Sequence, residues 1–276
     1  RDLLRLRAED AVMLGDELDA AEDVHGLGRA WSKLPQVAAG LLREGVPGRD
    51  VAQLISSELG DLTRRAAVLA EQRLAASGRG GPPCAYAVAV LGSAGRGESL
   101  LAMDQDNALV FAEGNVGGPE DRWFADLGTH VADILHEVGV PYCNGGVMAK
   151  NAAWRGSLAA WRERVVGWID RARPQDLLSV DIFFDLYGVH GDTNLADTLW
   201  RAGELKDALT YYLTASQNAG DHCGAHLLLG ERRLAWAGTQ LLDDGVGKLV
   251  LDPSDGAAAM ALGLAALPPL LVLLPT

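Results

Sequence analysis

At 276 residues the chain is long enough for two domains and a sizeable core. Hydrophobic residues make up 49% and charged residues 22%, the balance of a folded chain rather than a disordered one. Asp and Glu outnumber Lys and Arg 37 to 24, and the formal net charge of −13 argues against wrapping a nucleic-acid backbone, so no nucleic-acid partner is expected.

The first eighty residues read as helical. Leu3, Leu4, Leu6, Val12, Leu14 and Leu18 recur at roughly helical spacing. A second helix, Leu27 to Arg43, is expected to stop at Gly45 and Pro47. A third is expected after Gly48, with Asp50 as N-cap, running to the loop signal "SGRGGPP".

Then the period changes. "CAYAVAVLG" (Cys84–Gly92) and "NALVFAEG" (Asn107–Gly114) are short, apolar and bounded by turn residues, the pattern of buried strands. A helix to about Gly139 is expected next, then turn and short strand in "VPYCNGGVMAKN". Asn151 is expected to cap a helix that Pro174 closes. Trp154, Trp161 and Trp168 stand seven residues apart, two helical turns, so they are read as one core-facing stripe. "LLSVDIFFDLYGVHGD" (Leu177–Asp192) fits strand or helix, and the remainder reads as mostly helical.

The three cysteines, Cys84, Cys143 and Cys223, show no CxxC pairing and suit a reducing, cytoplasmic setting. Cys143 is read as a small packed residue. His222, Cys223 and His226 are read as surface helix residues. The apolar stretch Ala257 to Pro275 is interrupted by Pro268 and Pro269 and is read as a buried terminal helix, so no membrane partner is expected. Arg at position 1 is read as a sign that the sequence was excised from something longer.

The chemistry concentrates in "LGSAGRGESLLAMDQDNALVF" (Leu91–Phe111). Gly92, Gly95 and Gly97 let the backbone turn sharply, and exposed amides in such a turn can cradle phosphate oxygens. Ser93 adds a hydroxyl and Arg96 a fork suited to phosphate. No Gly-Lys-Ser/Thr follows, and the glycine spacing is not that of a dinucleotide fold. Asp104 and Asp106, two residues apart on an extended chain, point to one face with Cα atoms about 6.5 Å apart. Carboxylates so placed can bracket divalent ions about 3.5–4 Å apart, the spacing of in-line displacement at phosphorus. The plain alternative is a solvated acidic strand end.

Gly92-Ser93, ten intervening residues, then Asp104-Gln105-Asp106 resembles the signature of the DNA polymerase beta-like nucleotidyltransferase superfamily. The longer string "GSAGRGESLLAMDQDNAL" is similar to a narrower bacterial family related to the uridylyltransferase that modifies the P-II nitrogen-signalling protein. That likeness runs from about Leu34 to Asp192 and includes "PYCNGG" and "IFFDLYGVHGD". It implies a small mixed sheet with packed helices, a Gly-Ser turn holding a triphosphate, and Asp104 and Asp106 as metal ligands. It also implies a third carboxylate on a later strand, for which Asp185 is the candidate and Asp181 the second choice; a helix cap or salt-bridge partner is the alternative for Asp185. Tyr187 and Gly188 depart from the family pattern, which leads to an Arg and a bulkier residue there. The family often follows CBS or cyclic-nucleotide-binding domains, so such domains are expected upstream in the full-length protein.

The expected fold class is α+β, mostly helical. Residues 1–26 are read as a linker helix, 27–150 as a nucleotidyltransferase-like domain, and 151–276 as a helical domain contributing the third acid. The expected function is transfer of a nucleoside monophosphate from ATP or UTP to an acceptor hydroxyl, with a protein as the expected acceptor by family analogy and with Mg2+ or Mn2+. Asp104, Asp106 and Asp185 are the expected metal and catalytic residues, and Gly92, Ser93, Gly95, Arg96 and Gly97 the nucleotide-binding ones. A nucleotide-sensing module that binds without turnover and a helical interaction scaffold are the alternatives.

Overall fold

The computed structural model describes residues 13–171 and 173–202. The chain divides into two units, Arg1–Gly203 and Glu204–Thr276, and the described residues belong to the first. The expectations placed on His222–His226 and on Ala257–Pro275 lie outside them.

After a helical stretch over residues 13–20 come α1 (Val24–Trp31), α2 (Leu34–Arg43) and α3 (Gly48–Ala76). Asp23 caps α1, its Oδ1 accepting from the Gly26 amide at 2.6 Å. The single helix expected over Leu27–Arg43 is therefore two. Pro35 at the start of α2 has no amide to donate, and its ring would clash with a carbonyl one turn earlier, so the chain breaks at Ser32–Lys33. Asp50 is not the cap of α3. Pro47 holds that position, and Asp50 lies in the first turn, where its charge suits the helix dipole.

The expected loop follows, and then the sheet. It comprises β1 (Tyr86–Val90), β2 (Asn107–Phe111), β3 (Arg155–Ser157) and β4 (Tyr187–Gly191) in the order β3-β2-β1-β4. β1 runs antiparallel to β2 and β4, and β2 parallel to β3. Two of the four strands thus lie beyond residue 150. β1 and β2 are buried at every position, as continuous apolar strands require. Tyr86, Val88, Val90, Leu109 and Phe111 join the core beneath α3 and α5 (Pro119–Val138). Ala87, Ala89, Ala108 and Val110 alternate with them and face the other layer, α6 (Leu158–Arg171) and α8 (Thr193–Ala202). The result is a mostly helical α+β fold with a small mixed sheet, as expected.

α5 ends at Gly139, whose φ of 113° makes it a left-handed cap. Residues 140–151 form turns only, not the expected short strand; the strand comes later, as β3. Asn151 caps no α-helix. It precedes a single 3-10 turn, Ala152–Trp154, and α6 begins at Leu158. Trp154 is therefore not on the helix that carries Trp161 and Trp168, yet the three rings still meet, with centroids 5.8–6.2 Å apart. Phe183 closes on Trp161 at 5.3 Å, and the Trp161 indole N–H donates to the Leu109 carbonyl at 3.0 Å. Pro174 does not close α6, which ends at Arg171; it opens α7 (Pro174–Phe184), where its missing amide costs nothing. The ambiguous stretch Leu177–Asp192 is both things in turn: α7, then β4.

No helix among the described residues is long and apolar enough to cross a membrane.

Candidate active site

β1 delivers the chain into α4 (Gly92–Arg96), a single turn of helix. The Leu91 amide donates to the Asp106 carbonyl at 3.0 Å, which ties this turn to the lead-in of β2. Gly92 takes φ 56°, and a Cβ there would stand 2.9 Å from Asp106 Oδ2. Only glycine lets the backbone turn this close to the carboxylate. Gly95 is fixed by a tighter constraint, since a Cβ on it would come within 1.7 Å of the Asp185 carbonyl oxygen. Ser93 is half-buried in the turn, and Gly97 ends it in the left-handed region. The first amides of any helical turn lack intrahelical acceptors, so α4 offers N–H groups suited to an anion. The Ser99 amide, donating to Ser56 Oγ of α3 at 2.8 Å, anchors the chain beyond it.

Arg96 is engaged with two carboxylates. Its Nη1 donates to Asp185 Oδ2, and its Nε to Glu98 Oε2 at 2.8 Å. Asp185 is not on a strand: it is the C-cap of α7, two residues before β4, and its side chain is 3% exposed. Both halves of the alternative reading for this residue, helix cap and salt-bridge partner, describe where it stands. Asp181 lies one turn earlier on α7. Tyr187, at the start of β4, is 64% exposed.

Asp104 and Asp106 lie in the extended lead-in to β2, and each offers a carboxylate oxygen to one cluster. Its third member is the Cys143 thiol, the three ligand atoms lying within 4.8 Å of one another. Burial pushes Asp106 up to about 6, and the nearby charge of Asp104 pushes the same way, while a hydrogen bond from Cys143 and the charge of Arg96 oppose both. Burial also pushes the Cys143 thiol up to about 11, assisted by Asp106, so the S–H donates to the carboxylate at neutral pH.

The residues between and after the aspartates explain how Cys143, 37 positions along the chain, reaches them. Side chains alternate along an extended chain, so Gln105 and Asn107 turn away from the cluster, and each is 2% exposed. The Gln105 amide donates to the Pro141 carbonyl at 3.0 Å, and its Nε2 to the carbonyls of Ala132 and Val140 at 2.9 and 3.0 Å. The Asn107 amide donates to the Val147 carbonyl at 3.0 Å, and Asn107 Oδ1 accepts from the Ala149 amide at 2.8 Å. Arg155 holds the far end of the same loop through the carbonyls of Ala149 and Lys150 and is paired in turn with Asp121 at 2.8 Å. Cys143 is the residue that sequence reasoning passed over. The only local signal was its place in "PYCNGG", within the stretch of family likeness.

The donor set fits a divalent cation: two carboxylates supply the oxygen that Mg2+ and Mn2+ prefer, and the thiol adds a softer donor. A phosphate-friendly turn stands directly beside it. A search of curated proteins returns no relative of the chain. A family profile matches residues 32–175, just over half of the sequence, and takes in α4, both aspartates and Cys143 but stops short of Asp185. On that match the chain belongs to the family described as "Putative nucleotidyltransferase DUF294".

Proposed function

We propose that this protein is a metal-dependent nucleotidyltransferase that moves a nucleoside monophosphate from ATP or UTP to a hydroxyl of an acceptor protein. The observation that carries the reading is the convergence of Asp104 and Asp106 beside the Gly92–Arg96 turn, in a chain of a nucleotidyltransferase family. In this reading the amides of the turn and the Ser93 hydroxyl orient the triphosphate. Asp104 and Asp106 hold the metal, Mg2+ or Mn2+, which when bound neutralises charge on the phosphates and polarises the reacting phosphorus. Asp185 keeps Arg96 in place at the end of the turn and is the third acidic group of the site. Arg96 turns toward phosphate when nucleotide displaces its contact with Glu98. The rate then comes from positioning and charge neutralisation, as in other phosphoryl chemistry. The acidic net charge suits a protein acceptor better than a nucleic acid. CBS or cyclic-nucleotide-binding domains upstream in the full-length protein would make the site part of a bacterial signalling relay in the cytoplasm.

The test follows transfer of label from α-labelled ATP and UTP to cellular proteins. Asp104→Asn and Asp106→Asn each lower transfer by about a hundredfold or more, the scale of lost transition-state electrostatics. Undiminished transfer in both variants sinks the mechanism. A second reading has its own support: Arg96 is already committed to Asp185 and Glu98, and Tyr187 stands where the resemblance leads to an arginine. That reading is a nucleotide sensor without turnover. Calorimetric binding of Mg-ATP or Mg-UTP with no label transfer selects it.

A further inference from the structure

The cluster at β2 holds a sulfur as well as two carboxylates, and the sulfur is built in. We propose that Cys143 is a protein ligand of the metal, and that Asp104, Asp106 and Cys143 form one site taking a thiophilic divalent cation, of the Zn2+ or Co2+ class, ahead of Mg2+. This rests on the reading above only in taking the site to bind a divalent ion.

Three observations carry it. The ligand atoms lie within 4.8 Å of one another. Tetrahedral bonds of about 2.0–2.3 Å to one zinc ion put two donors about 3.3–3.8 Å apart, so about an ångström of side-chain adjustment closes the set. The thiol is also held from behind. The Gly146 amide donates to the Cys143 carbonyl at 3.0 Å and Asn151 Nδ2 to the Gly146 carbonyl at 2.7 Å, so the turn that carries the sulfur is closed by its own hydrogen bonds. Finally, Gln105 and Asn107, which alternate with the two aspartates, latch the Cys143 loop through buried hydrogen bonds. The same four-residue stretch therefore sets both carboxylates and the position of the sulfur. A thiolate discriminates among cations: it adds little for Mg2+ and much for Zn2+ or Co2+. Binding replaces the S–H bond with a sulfur–metal bond and releases one proton to solvent.

The experiment is a Co2+ titration of the reduced full chain, read by thiolate-to-cobalt charge-transfer absorption in the near ultraviolet. Zn2+ and Mg2+ calorimetry accompanies it. The band is expected in the wild type and in Cys84→Ser/Cys223→Ser, absent in Cys143→Ser, and weakened in Asp104→Asn. Zn2+ affinity falls in Cys143→Ser by more than the ~10–100-fold that outer-shell changes cost, while Mg2+ affinity holds. Circular dichroism verifies that the variants are folded, and Asp104→Asn supplies a second route if Cys143→Ser is not. A band that survives in Cys143→Ser, or no band in the wild type, overturns the assignment. Absence of the band with label transfer intact in Mg2+ refutes the sulfur ligand and leaves the transferase reading standing. A band at Cys143 with neither nucleotide binding nor transfer does the reverse.

Discussion

Glu58 is the clearest electrostatic liability in the fold. It lies on α3 and is 5% exposed, and its Oε2 has no hydrogen-bond partner among the described residues. Burial, then the charges of Asp61 and Asp19, push its carboxyl up to about 7 from the ordinary 4.5. The folded state therefore holds this proton more tightly than the unfolded chain does. Between those two values the folded protein binds more protons, so stability falls as pH rises through the window. The shift from 4.5 to about 7 is about 2.5 units, and at about 1.36 kcal/mol per unit it sets a ceiling of about 3 kcal/mol. Glu58→Gln keeps the shape and removes the titration. The variant should match the wild type below about pH 4.5 and exceed its stability above about pH 7, by about 1–3 kcal/mol. Urea unfolding followed by circular dichroism at several values from about pH 5 to about pH 8 measures the difference, in which other titrating groups cancel. A difference that stays flat across that range refutes the argument, because it would mean that Glu58 is as well solvated folded as unfolded.

Arg155→Met leaves Asp121 buried without its partner and frees the carbonyls of Ala149 and Lys150; breaking such a pair costs about 3–5 kcal/mol, measured by denaturant unfolding. Asp121, held below the usual carboxylate range by its Gly117 amide and Arg155 contacts against the opposing effect of burial, should give up its stabilisation as pH falls through that depressed value, a loss that Asp121→Asn removes. Gly95→Ala drives a methyl into the Asp185 carbonyl; it should destabilise by about 1–3 kcal/mol or more and weaken nucleotide binding, read by melting temperature and calorimetry. Asn107→Ala strands the Ala149 amide at about 1–3 kcal/mol and should loosen the Cys143 loop, seen as faster reaction of Cys143 with a disulfide reagent.

What the sequence reveals and conceals follows the range of the interactions. The Gly92–Asp106 region is legible because its glycines and two acids fall within fifteen residues between two strands, and those strands, adjacent and antiparallel, bring such neighbours together. Gly139 and Pro119 mark the ends of α5 for equally local reasons. Proline is ambiguous to a reader of sequence, since it ends one helix as readily as it begins the next. Pro35 and Pro174 both begin one, whereas periodicity alone runs a helix through the first and stops one at the second. Asp185 is singled out only by family likeness, and its place at a helix end depends on where α7 stops and on Arg96, 89 positions earlier. Cys143 was illegible because nothing near it in the chain selects it. Its position is decided by side chains at 105 and 107.

Those two side chains bear on how the site tolerates change. In "DQDN" the odd positions, Gln105 and Asn107, face inward and grip the loop, and the even ones, Asp104 and Asp106, face the cluster. A shift of one residue in this stretch would exchange the two sets, burying both carboxylates and releasing the loop. The stretch is fixed in register by the Leu91–Asp106 hydrogen bond on one edge and by Pro141 and Val147 on the other. A change at Gln105 therefore reaches the candidate cation cluster without touching it: losing its two side-chain bonds, to Ala132 and Val140, loosens the loop that carries the sulfur, while the Leu91–Asp106 hydrogen bond still ties the aspartate stretch to the end of β1. Damage to the loop and damage to the carboxylates are consequently separable. The first should alter cation preference before it alters nucleotide transfer.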